Sequence, residues 1–67
     1  MIVTTRNHGT LHVDEHRVQR VAQRAAREGM TLDTLRRWAE DVTGEDWSDV
    51  VEPAVLVAAV ALGPLGE

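Results

Sequence analysis

TLHVDEHRVQRVAQRAAREGMTLDTLRRWA, residues 10–39, is the stretch whose hydrophobic period decides the fold class. Thr10-Leu11-His12-Val13 alternates polar and apolar, the period of a half-buried strand. Asp14 then stands as a helix N-cap, its carboxylate offering an acceptor to the orphan N–H groups of a first turn. Beyond it apolar residues recur at Val18, Val21, Ala22 and Ala25, the three-and-four spacing of one helical face. This predicts a helix over 15–28, with Gly29 as its left-handed terminator. Thr31 caps a second helix, expected over 32–43 and ending at Gly44. Its buried stripe is Leu32, Leu35, Trp38, Ala39 and Val42.

Upstream, Ile2–Thr5 reads either as a second short strand, with Arg6-Asn7-His8-Gly9 as the turn of a hairpin, or as a loose arm. Downstream, Glu45–Asp49 is an acidic connector holding Trp47. A third helix is expected over 50–62, beginning near Val50 to Pro53, because Asp49 and Glu52 have capping-box spacing and Pro53 suits a first turn. The apolar run Ala54–Leu62 continues it, with a valine-rich strand as the competing reading. A helix apolar on nearly every side must be buried between elements or between subunits. Gly63-Pro64 stops it and leaves 63–67 as a tail. The expected class is mostly α with a short N-terminal β element: strand, helix, helix and a third apolar C-terminal helix in one domain over 1–67.

The composition makes the core thin. Of 67 residues, ten are valine and eight alanine, and only eleven are Leu, Ile, Met or Trp. Burial stabilises by about 25 cal/mol per Å² of apolar surface, while ordering costs about 1.5 kcal/mol per residue. For so short a chain the two nearly cancel, so self-association into a homodimer is expected to complete the core. The absence of cysteine removes disulfides and thiolate chemistry. No basic start followed by a long apolar stretch is visible, and the nine-residue apolar run is far short of the ~20 residues of a membrane span. A cytoplasmic protein with no membrane partner is the expectation.

Net charge is −4 but unevenly placed. All seven basic residues are arginines within 1–37, where they outnumber Asp14, Glu15, Glu28 and Asp33. Residues 38–67 hold seven acids and no basic residue. Arg17, Arg20, Arg24 and Arg27 fall at helical spacing and form one basic stripe. Such asymmetry marks either a nucleic-acid-facing half joined to a half with another task, or two halves that attract each other in the fold.

Enzyme chemistry has little to work with. There is no cysteine nucleophile and no glycine-rich phosphate loop, and Ser48 is the only serine. The pairs Glu40-Asp41 and Glu45-Asp46 need only be solvated, so no catalytic residue and no cofactor is expected. His8, His12 and His16 recur every four residues, but Gly9 and the strand alternation break a helix there. On a strand, His8 and His12 would stand about 13 Å apart, too far for one metal ion. Solvated or groove-facing histidines are the better reading.

Over residues 10–42 the spacing resembles the ribbon-helix-helix family of small dimeric repressors and antitoxins. Leu11 and Val13 match the inward strand positions, Val18, Val21 and Ala25 the first-helix core, and Gly29-Met30-Thr31 the turn, with Leu35 and Ala39 continuing the second helix. The resemblance implies an intertwined dimer whose paired strands lie in the DNA major groove, with His8, Thr10 and His12 reading base edges and Arg6 as the available purine reader. It also implies a phosphate against the second helix start at Thr31 and Leu32, with Arg17 and Arg36 as further phosphate contacts. Arg24, Glu28 and Arg36 stand where the family carries apolar residues, and Asp33 repels a phosphate at that helix start. Many antitoxins join such a half to a toxin-binding half.

Two other readings stay open. Ala25–Trp38 also resembles a helix-turn-helix, with Thr34–Trp38 similar to the recognition helix of excisionase-like and MerR-like proteins. Alternatively the chain is a small helical modulator that binds another protein without touching DNA. Its contact surface would then be the acidic half, with Trp47, Val50 and Val51 as the partner-binding residues. Against that stands the reading of both tryptophans as core residues of a chain with few large side chains.

Overall fold

A computed structural model describes residues 1–6 and 8–63. Strand β1 (Ile2–Thr4) pairs antiparallel with β2 (Thr10–His12), and three helices follow, α1 (Glu15–Arg27), α2 (Leu32–Thr43) and α3 (Pro53–Leu62). The N-terminal segment is therefore a hairpin strand rather than a loose arm. Its register sets Ile2 opposite His12, Val3 opposite Leu11 and Thr4 opposite Thr10. The turn closes through the Thr5 N–H donating to Gly9 O at 2.9 Å. Gly9 takes φ +72°, a left-handed conformation that glycine adopts without a Cβ penalty. Of the expected turn residues, Asn7 lies outside the described residues, as does the tail beyond Gly63.

The helix boundaries follow their caps. The Asp14 carboxylate accepts the His16 N–H at 3.0 Å and opens α1, which ends one residue before the expected 28 because Glu28 is its C-cap. The Thr31 hydroxyl accepts the Thr34 N–H at 3.3 Å and opens α2, and Gly44 closes it at φ +72°. The third helix starts at Pro53, the far end of the expected start window. Proline pushes the residue before it out of the helical region, and Glu52 sits extended at φ −97°, ψ 114°. The expected capping box is not made, so Val50 and Val51 remain in the connector. Residues 54–62 are helix, which settles the strand alternative.

α3 is the centre of the molecule. Every residue from Val55 to Ala61 is at most 8 % exposed, and the helix packs against α1, α2 and β2. That is why it is apolar on all sides. Val21 and Ala25 of α1, Leu35 and Ala39 of α2, and Leu11 and Val13 at the hairpin end form the walls of this core. Ala22, expected in the stripe of α1, is exposed. The helical stripes of α1 and α2 are covered by α3 of the same chain. At its end, Gly63 is buried so tightly that a Cβ would meet Val42 Cγ1 at 1.6 Å and Val42 O at 3.2 Å. No helix among the described residues is long and apolar enough to cross a membrane.

Candidate functional site

Two surfaces emerge from this packing. The first is the outward face of the hairpin. Thr10 and His12 are exposed while Leu11 and Val13 are buried, as strand parity requires. Directly opposite residues share a face, so Ile2 and Thr4 complete that outward face beside His12 and Thr10. Arg6 is exposed at the hairpin end, across a cleft of about 260 Å³ from Asp49, Val50, Val51 and Glu52.

The second surface is the connector from Gly44 to Glu52, which is tethered at three points. Trp47 is its anchor, only 1 % exposed. Its indole Nε1–H donates to Thr43 Oγ1 at 2.8 Å, and its backbone N–H donates to Glu40 Oε2 at 3.2 Å. The His8 ring stacks on the indole with centroids 3.8 Å apart and planes 19° from parallel. His8 also places Nδ1 3.3 Å from Glu45 Oε1 and Nε2 3.9 Å from Asp49 Oδ1. At the far end the Arg36 guanidinium donates twice to Val50 O, at 2.9 and 3.3 Å, while its Nη1 holds Asp33 at 2.9 Å. Between these tethers the Ser48 N–H donates to Asp46 Oδ1 at 2.9 Å, and Ser48 holds the Asp46 carboxyl below its ordinary range. The exposed side chains of the connector are then Glu45, Asp46, Ser48, Asp49, Val51 and Glu52.

Several residues expected at a binding surface are placed elsewhere. Trp47 is a core residue and presents nothing to a partner, while Val51 is 65 % exposed and Val50 half-buried. His8 does not join Thr10 and His12, because glycine-containing turn geometry carries it over to the indole, with its side chain 13 % exposed. Arg17 donates to Gly63 O at 2.9 Å, where it caps the end of α3. Arg36 is committed to the connector. Thr31 remains exposed at the start of α2, but Leu32 packs against the core. The basic stripe of α1 is accordingly broken. Arg17 turns inward, and Arg24 pairs with Glu28 at 2.8 Å and lies 4.8 Å over the Trp38 ring. Arg20 and Arg27 stay exposed.

The stacking of His8 on Trp47 and the reach of Arg36 to Val50 join residues far apart in the chain, so no local spacing signals them. The scarcity of large side chains was the one sequence signal that Trp47 belongs inside. Among the described residues no group of three or more His, Asp or Glu side chains is placed to hold a metal ion. No known protein family, curated protein or solved structure matches the chain.

Proposed function

We propose that this protein is a small, non-enzymatic binding module that recognises a basic surface of another protein through the connector 44–52. The observation that carries the reading is the tethering of an acidic loop at Trp47, His8 and Arg36. A loop already fixed in place loses little conformational entropy on binding. It displays Glu45, Asp46, Asp49 and Glu52 around the exposed Val51, a charged rim around an apolar contact. Acidic rims of this kind speed association with basic partners and discriminate against acidic ones.

The test is affinity capture from a lysate of the source cells with the wild-type protein and the triple variant Asp46→Asn, Asp49→Asn, Glu52→Gln side by side. A protein held by the wild type at low salt, released as salt rises and lost by the variant supports the reading. Equal retention by both proteins, or retention of nucleic acid alone, sinks it.

A DNA-binding regulator of ribbon-helix-helix type is the second reading. It is favoured by the exposed Thr10 and His12 side chains on a two-stranded ribbon, with Arg6 exposed at its end. It has fewer residues to draw on, since His8, Arg17 and Arg36 serve contacts within the chain. Replacing Thr10 and His12 with alanine separates the two readings. The DNA reading requires loss of salt-sensitive binding to the upstream DNA of its own gene, and the protein reading requires no change in partner capture.

A further inference from the structure

The hairpin leaves one strand edge without the features that normally guard it. The Met1 ammonium donates to Val13 O at 3.0 Å, the Val13 N–H donates to Met1 O at 2.9 Å, and the Thr5 N–H donates to Gly9 O at 2.9 Å. In an antiparallel pair such hydrogen-bonded positions alternate, so Val3–Leu11 is the next one and Ile2 and Thr4 turn their N–H and C=O groups away from β2. Natural edges are blunted with charges, proline or a covering element. The stretch Met1–Thr5 has no charged side chain and no proline, its one charge being the Met1 ammonium that donates inward to Val13 O, and at Thr4 it borders the open cleft beside the connector.

We propose that this edge of β1 pairs with the same edge of a second copy, antiparallel about a two-fold axis at Val3, to form a four-stranded sheet. The register is self-complementary. Ile2 of one copy falls opposite Thr4 of the other, and vice versa, so all four outward N–H groups find carbonyl acceptors. Charge favours this edge over that of β2. Each copy carries a net −4, and β2 is followed after Val13 by Asp14 and Glu15, whereas β1 has no acidic group beside it in the chain: its only charges are the Met1 ammonium, held on Val13 O, and Arg6 beyond Thr5. Three of the four large apolar side chains exposed among the described residues also lie here: Met1 at 58 %, Ile2 at 66 %, and Val51 at 65 %, which lines the cleft with Thr4. The pairing enlarges the hairpin's outward face and leaves the α3-centred core untouched. It is also distinct from a ribbon made through β2, the pairing implied by the family resemblance.

Sedimentation equilibrium over a wide concentration range tests this, with circular dichroism confirming that each variant folds. Thr4→Pro removes an N–H that the hairpin does not use, and His12→Pro does the same on the β2 edge. Ile2→Asp supplies a second block of the β1 edge in case the proline variant fails to fold. The expected result is a wild-type dimer weakened at least about tenfold by Thr4→Pro and by Ile2→Asp, and unchanged by His12→Pro. A wild-type protein that stays monomeric overturns the proposal. So does a dimer that His12→Pro breaks and Thr4→Pro spares. The connector variants above leave β1 intact, so the two readings fail separately.

Discussion

Replacing Trp47 with phenylalanine asks whether this residue is an anchor or a surface contact. The indole is 1 % exposed, donates to Thr43 Oγ1 at 2.8 Å and carries the His8 ring at 3.8 Å. Phenylalanine keeps an aromatic face for His8 but removes the N–H and part of the ring volume. The lost hydrogen bond is worth about 1 kcal/mol. The Thr43 hydroxyl is not orphaned, since it still donates to Ala39 O at 2.7 Å and accepts the Glu45 N–H at 3.2 Å. The space left by the smaller ring adds about 1 kcal/mol. Together these give about 2 kcal/mol, against a total stability of about 3–10 kcal/mol for a chain of this length. Alanine at the same site would cost about 3–5 kcal/mol and approach complete unfolding, so phenylalanine is the informative change. Urea denaturation followed by far-UV circular dichroism reads the effect. With a slope of about 1 kcal/mol/M, the midpoint should fall by about 2 M. A fall of less than about 0.5 M would refute the reasoning, because that is what substitution of an exposed residue produces.

Gly63→Ala should destabilise by about 1–3 kcal/mol, because the new methyl group meets Val42 Cγ1 at 1.6 Å. Adding Val42→Ala should recover only part of that loss in the same urea assay, since the Val42 carbonyl stays at 3.2 Å. Arg36, expected at a phosphate, and Arg24, expected in the basic stripe of α1, should separate in thermal melts. Arg36→Met gives up two bonds to the Val50 carbonyl and should cost about 1–2 kcal/mol, whereas Arg24→Ala, paired with Glu28 on an exposed face, should cost under about 1 kcal/mol. An NMR titration of Asp46 should show a midpoint below the ordinary carboxylate range, and Ser48→Ala should return it part of the way upward. Because the folded-state value is lowered, this contact stabilises the fold above the ordinary carboxylate range and is lost as pH falls through the lowered value.

What the sequence determined by itself is local. Alternation at Thr10–Val13, the caps at Asp14 and Thr31, and the left-handed glycines at 29 and 44 act within a few residues, and α1 and α2 stand where those signals put them. Val21, Ala25, Leu35 and Ala39 were legible as core because helical periodicity faces them one way. The start of α3 was legible only as a window from Val50 to Pro53, and it falls at Pro53 because the proline effect on Glu52 outweighs the spacing of Asp49 and Glu52. The tertiary structure decided the rest. Whether the apolar third helix was to be covered by its own chain or by another depended on how α1, α2 and the hairpin close around it, which no window of sequence contains. The same closure brought His8 onto Trp47 and Arg36 onto Val50. A solvated arginine and one that ties down a loop have the same local sequence signature. Only the partner supplied by folding distinguishes them, because desolvation and hydrogen bonding are properties of neighbours in space.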